Sequence, residues 1–199
     1  KGEWTDAYRT TVSMSNSQEK YETTPTVYLT KTVLNNYLWL NEYKAGAGTA
    51  TLALERREDQ LNNASTTPKD TEHFQNSAAV GYGWSKGGHS VQFNARHDAD
   101  SVFGGVNTGA VGYGLALSEQ WRATASVGTS FRAPTLFQRF SIYGSADLSA
   151  ETSRNTELGL HRQSGPHTLD VTVYHNDVNN LISFVANTGT CPSNLGTGS

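Results

Sequence analysis

Residues 121–132 read Trp-Arg-Ala-Thr-Ala-Ser-Val-Gly-Thr-Ser-Phe-Arg, and the alternation within them decides the fold class. In an extended chain one face would carry Trp121, Ala123, Ala125, Val127, Thr129 and Phe131. The opposite face would carry Arg122, Thr124, Ser126, Gly128, Ser130 and Arg132. Side chains of a strand point alternately to its two faces, so a period of two identifies a strand with one apolar and one polar side. The apolar row has an aromatic at each end. This is the pattern of a strand that crosses a bilayer, with its lipid-facing band set between two aromatic girdles.

Other segments repeat the pattern. Phe74, Asn76, Ala78, Val80, Tyr82 and Trp84 oppose Gln75, Ser77, Ala79, Gly81 and Gly83. Val91, Phe93 and Ala95 oppose Gln92, Asn94, Arg96 and Asp98, and Leu169, Val171 and Val173 oppose Asp170, Thr172, Tyr174 and Asn176. Weaker versions run through 4–16, 30–42, 49–58, 105–117 and 154–163. The reading is about nine strands of roughly ten residues, the length that crosses a bilayer at a tilt. The polar face collects Arg9, Glu55, Arg57, Gln92, Asn94, Arg96, Arg122, Arg132, Asn155, Glu157, His161 and Asp170. A midplane Arg or Lys against lipid costs roughly 2–4 kcal/mol, so this face must line a wet lumen or pack on another domain.

The connections between these segments alternate in length. Short ones fall at 44–48, 85–88, 118–120 and 164–167, and long ones at 17–29, 59–72, 99–104 and 133–153, with a long tail after 178. Tight periplasmic turns and long extracellular loops characterise an outer-membrane barrel, whereas a Greek-key sandwich has no reason to sort loop lengths by parity. On this reading strand 4–16 runs outward and each strand after it reverses. The expected class is therefore an all-β, antiparallel transmembrane barrel segment.

Composition agrees with this class and excludes others. The mean hydropathy is −0.53 and no run approaches the roughly 18 apolar residues of a membrane-spanning helix, but alternating barrel strands also average to a polar composition. The 199 residues include 4 Trp, 9 Tyr, 7 Phe and 19 Gly, and the net charge is −3, with no basic run to suggest nucleic acid. The single cysteine, Cys191, excludes an internal disulfide and a thiolate metal cage. Asp98-Ala-Asp100 has two carboxylates but no distal bidentate partner, so a solvated turn is expected there rather than a calcium loop. His89 and His97 lie roughly 27 Å apart along one strand at about 3.4 Å per residue, too far to share an ion. Gly46-Ala-Gly48 has no helix behind it and reads as a tight turn, and Asn63-Ala-Ser65 is discarded as a bacterial sequon. With no Ser–His–Asp order and no nucleophile elbow, no enzyme, metal centre or cofactor is expected.

The run Ser130-Phe-Arg-Ala-Pro134 begins a resemblance to the TonB-dependent outer-membrane receptors. It continues through Leu136, Asp147-Leu-Ser-Ala-Glu151, Ser153-Arg-Asn155, Glu157 with Gly159, Tyr174-His-Asn-Asp-Val178 and Leu181-Ile182. The motif spans roughly residues 105–185 and is most similar to the cobalamin receptor branch, with the siderophore receptors next. It departs from the family in carrying Ala150 where a proline usually precedes the glutamate. The resemblance implies a 22-stranded barrel filled by a plug, energised uptake of cobalamin or an iron-siderophore, contact with outer-membrane lipid, and coupling to TonB through the plug. It places the protein in the bacterial outer membrane. Residues 1–199 are then expected to form one partial barrel segment, with no signal peptide before Lys1, no plug and no closing strands.

On that frame Arg132, at the top of its strand, and Gln138, Arg139 and Tyr143 of the loop 133–153 are the candidate ligand contacts. Two roles are open to Arg132: contact with an anionic part of the ligand or plug, or a wall ion pair with a neighbour such as Glu157. Leu136, Phe137, Phe140, Ile142 and Tyr143 form an apolar cluster that would grip a ligand or, for Phe137 and Phe140 more readily, pack on the loops around them. Arg96, Arg122, Glu157 and Asp170 are expected to line the lumen or face the plug. Cys191 would pair only with a cysteine elsewhere in an intact protein. The alternatives are a small closed outer-membrane barrel of eight or ten strands with an adhesive or structural role, and a barrel enzyme, for which a Ser–His pair at the rim is missing.

Overall fold

The computed structural model describes residues 1–141 and 143–183. Cys191 and Ile142 lie outside the described residues. The chain forms β1 (Gly2–Glu3), β2 (Tyr8–Thr23), β3 (Tyr28–Ala45), β4 (Gly48–Asn63), β5 (Asp70–Lys86), β6 (His89–Asp100), β7 (Gly104–Ala116), β8 (Trp121–Arg132), α1 (Leu136–Phe140), β9 (Glu151–Ser164) and β10 (His167–Asn179). All ten strands join one antiparallel sheet in the order β1 to β10, each paired with its sequence neighbour. Nearest-neighbour pairing follows from the short connections, since a two-residue link can only fold a strand back on itself. Gly46, at φ 61°, supplies the left-handed residue that the turn at 46–47 requires. A small closed barrel would pair β1 with β10, but among the described residues these two strands occupy opposite edges of the sheet.

Direct cross-strand partners share a face, so the register tests the alternation strand by strand. One row runs Ala50–Tyr82–Phe93–Val111–Val127 across β4 to β8. The adjacent row, on the other face, runs Thr51–Gly81–Asn94–Ala110–Gly128–Asn155–Asn176 from β4 to β10. No strand is out of phase, and every polar wall residue named from the sequence falls on the second face.

Among the described residues no second layer covers the apolar face. Phe93 is 44% exposed, Val127 37% and Val173 67%, while the buried hydrophobic side chains among the described residues are Leu61 and Leu136. Burying one Val, Leu or Phe stabilises a fold by roughly 1.5–3 kcal/mol, so two buried leucines cannot hold a water-soluble domain of this size together. The sheet is stable only where hydrocarbon takes the place of a core.

Two sequence expectations are corrected. The nine main strands run to 12–18 residues instead of ten, and three of the four long connections shrink to residues 24–27, 64–69 and 101–103. Only 133–150 remains long. The difference lies above the lipid. There both faces are wet and the apolar alternation that marks a strand stops, as in Ser17-Gln-Glu-Lys-Tyr-Glu-Thr23, while the backbone ladder continues. At that end Asn63 is fully buried and donates to the Tyr28 hydroxyl at 2.9 Å, while its side-chain oxygen accepts from the Ser65 N–H and hydroxyl, both at 2.8 Å. This polar knot seals the loop 64–69 onto β3.

Candidate functional site

The loop 133–150, here termed the strap, starts on β8 and folds across the polar face until α1 touches β4 and β5. A five-residue helix does not persist by itself, so its ends and one face must be held. Thr135 and Gln138 form a reciprocal capping box: the Gln138 N–H donates to Thr135 Oγ1 at 3.1 Å, and the Thr135 N–H donates to Gln138 Oε1 at 2.9 Å. Leu136, 7% exposed, anchors the strap; Leu61 on β4 is 2% exposed. Between strap and wall lies a cavity of about 710 Å³ lined by Arg57, His73, Arg96, Phe131, Arg132 and Leu136, among others.

Arg132 at the end of β8 and the strap residues Gln138, Arg139 and Tyr143 have different tasks. Arg132 pairs with Glu151, its direct cross-strand partner, and not with Glu157, which stands opposite Ser126. The Ile182 N–H also donates to Glu151 Oε1 at 2.6 Å. Hydrogen bonding from Arg132 holds the Glu151 carboxyl below its ordinary range, against a smaller opposing effect of burial, and the Ile182 N–H adds to it. Gln138 is committed to the cap. Arg139 donates to the Ala146 carbonyl at 3.2 Å, and its guanidinium lies 5.5 Å from the Phe103 ring centroid and 4.8 Å from that of Phe140, both within cation–π range. The Tyr143 side chain is well exposed.

The depressed Glu151 carboxyl yields a prediction with a definite sign. Its stabilisation is present above the ordinary value near 4.5 and is lost as pH falls through the lower folded value. Because Arg132 is more than half exposed, water screens the pair, and Glu151→Gln is expected to remove about 1 kcal/mol. Urea denaturation at a series of pH values should show the gap between wild type and variant closing on the acid side. A constant gap would contradict this assignment.

The wall candidates separate along the sheet. Arg96 lies in the cavity, paired with Glu55 at 2.8 Å and Asp98 at 2.7 Å, and Asp98 also accepts from Gln75 and Ser77. Asp98 is therefore satisfied by protein groups. Arg122 lies toward the short-turn end, donating to Ser90 Oγ across Gly114, where a Cβ would collide with the guanidinium. Glu157 accepts from Asn155 at 2.5 Å, and Asp170 contacts His161 across β9 and β10; neither lines the cavity under the strap. Sequence reading missed His73, Asp59 and Phe103, which meet partners from other elements of the fold. Asp100 was noticed only as half of a weak cation motif.

The beta-barrel model of the TonB dependent receptor-like family matches residues 2–198. This chain belongs to that family. It is 31% identical over 191 residues to the vitamin B12 transporter BtuB of Vibrio vulnificus (strain YJ016), covering 90% of this chain and 31% of the relative. The fold is similar to that of the siderophore receptor PirA from Acinetobacter baumannii (TM-score 0.76, 15% identity, 89% of this chain and 33% of that one). It is also similar to that of PirA from Pseudomonas aeruginosa (TM-score 0.67, 21% identity, 85% and 39%). The chain thus spans about a third of the length of these receptors. Family members are outer-membrane transport proteins of Gram-negative bacteria and not enzymes, so the exposed apolar face and the polar face under the strap have their solvents: lipid and lumen.

Proposed function

We propose that this chain forms wall and outer loops of an outer-membrane receptor for energised uptake of cobalamin or an iron-siderophore, with the strap as part of the ligand mouth. The observation that carries the reading is, among the described residues, a one-layer sheet with one apolar and one charged face, whose long loop 133–150 lies over the charged face. The remaining strands and a plug that couples to TonB would come from elsewhere in the same protein. A plug would also cover the lumen-facing Arg96, Arg122, Glu157 and Asp170. The 31% identity to a protein named as a vitamin B12 transporter puts cobalamin ahead of an iron-siderophore.

A bulky solute at the rim would meet the exposed ring of Tyr143 and the guanidinium of Arg139, both on the strap. The test is accumulation of labelled cyanocobalamin and of ferric siderophores by cells whose sole receptor is the full-length protein. Cobalamin accumulation that stops when the inner membrane is de-energised is expected. Tyr143→Ala should weaken ligand binding roughly tenfold, the loss of about one aromatic contact. Absence of uptake for both ligand classes would refute the proposal.

A further inference from the structure

His73 on β5 lies buried between two carboxylates from the strands on either side. Its Nδ1 is 3.4 Å from Asp59 Oδ2 on β4 and its Nε2 is 2.8 Å from Asp100 Oδ2 on β6. A neutral imidazole carries one N–H, so it can donate to only one of these oxygens; the imidazolium donates to both. The other oxygen of Asp100 accepts from the N–H groups of Val102 at 2.8 Å and Phe103 at 2.9 Å, which fixes the β6–β7 turn. The Phe103 ring then meets Phe131 edge-on, with centroids 6.4 Å apart, and lies under Arg139 of α1. An unbroken set of contacts thus leads from the imidazole to the strap.

We propose that His73 is a proton-operated positioning residue: protonated, it clamps β4, β5 and β6 together and holds the Phe103 turn as a seat for the strap; neutral, it releases one carboxylate and loosens that seat. The charged groups around it are Asp59 and Arg57 on β4, Asp98, Asp100 and Arg96 on β6, and Arg132 and Arg139 where the strap closes over the cavity. Arg57 donates to Asp59 at 3.0 Å, and Arg96 is committed to Glu55 and Asp98. Asp100 therefore has His73 as its cationic side-chain contact, and loss of the proton removes that charge and leaves this fully buried carboxylate with at most one neutral imidazole donor beside the turn N–H groups.

The cluster lies at the loop-side end of the strands, level with the polar outer-face residues Arg56, Glu58 and Asn76 and above the apolar band. The hydrogen bond to Asp59 raises the His73 pKa, burial opposes it, and Asp100 raises it further. The clamp is therefore complete below the ordinary value near 6.5 and is lost as pH rises through the higher folded value. Burial pushes the Asp59 carboxyl up, but hydrogen bonds from His73 and Arg57 outweigh it and hold the carboxyl below its ordinary 3.8. Its share is thus present above that value and lost as pH falls through the folded one.

The clamp stands on its own distances; its consequence for uptake rests on the ligand role proposed for the strap. Hydrogen exchange of the Val102, Phe103 and α1 amides, corrected for intrinsic rates, is to be followed from about pH 5.5 to about pH 9 in the full-length receptor in vesicles. Protection should fall roughly tenfold across a single step, the effect of one lost charge-assisted hydrogen bond. His73→Gln should show no step and stay at the alkaline level throughout. Asp59→Asn, which keeps the imidazole but removes one raising partner, should move the step to lower pH. A flat wild-type profile, a step that survives in His73→Gln, or an unmoved midpoint in Asp59→Asn would each overturn the proposal. If His73→Gln does not assemble, the wild-type profile and the Asp59→Asn midpoint decide it. Failed uptake of cobalamin and siderophore with an intact step would remove the ligand assignment and leave the clamp standing.

Discussion

Val127→Arg is expected to cost the folded wall about 2–4 kcal/mol, while Ser126→Arg, one residue away, is expected to cost less than about 1 kcal/mol. Val127 lies midway between Trp121 and Phe131 on the lipid-facing row, with Val111 as its direct neighbour. A guanidinium there must enter hydrocarbon or drag its strand toward an interface. Ser126 faces the lumen opposite Glu157 on one side and Gly112 on the other, so the same group finds a carboxylate partner and room without leaving water. Urea unfolding of the receptor in lipid vesicles, or the fraction that assembles in the outer membrane, measures both. Equal damage from the two variants would mean that the sheet has two similar faces and is not a membrane wall.

Leu136→Ala is expected to release the strap while the sheet remains assembled. Replacing a buried leucine by alanine costs about 2–5 kcal/mol, and the opposing wall can close little of the space because its side chains are fixed by ion pairs. A five-residue helix with one apolar anchor cannot absorb such a loss, so the capping box and the Arg139 contacts should go with it. Limited proteolysis should then cut within 133–150 at a rate at least about tenfold above wild type, with the unfolding midpoint of the barrel moved little. An uncut strap would show that Leu136 is not its anchor.

How much of this could be read in the sequence depended on whether a signal was local. The face of every wall residue follows from parity, which is why Arg96, Arg122, Glu157 and Asp170 all fall on the polar side. Register is not local: it is set by where each turn closes, and across an 18-residue connection nothing in the pattern selects Glu151 over Glu157 as the partner of Arg132. The docking of α1 on β4 and β5 and the approach of His73 to Asp59 and Asp100 need three-dimensional placement. Their one visible trace was the Asp98-Ala-Asp100 spacing. Strand length escaped detection because hydrophobic alternation reports the lipid, and β2 to β5 continue well beyond it.

That excess length gives the outer mouth an uneven edge. Strands β2 to β5 have 16–18 residues and β6 to β8 only 12–13. β5 extends five residues beyond the end of β6, and at about 3.3 Å each that amounts to a height difference of roughly 16 Å along the strands. The strap rises from the low flank and leans against the tall one, so this stretch of the rim has a sheltered side and an open side. On the ligand role proposed for the strap, a solute would meet the open side first, and substitutions along the tops of β6 to β8 should alter the rate of capture before they alter the strength of holding.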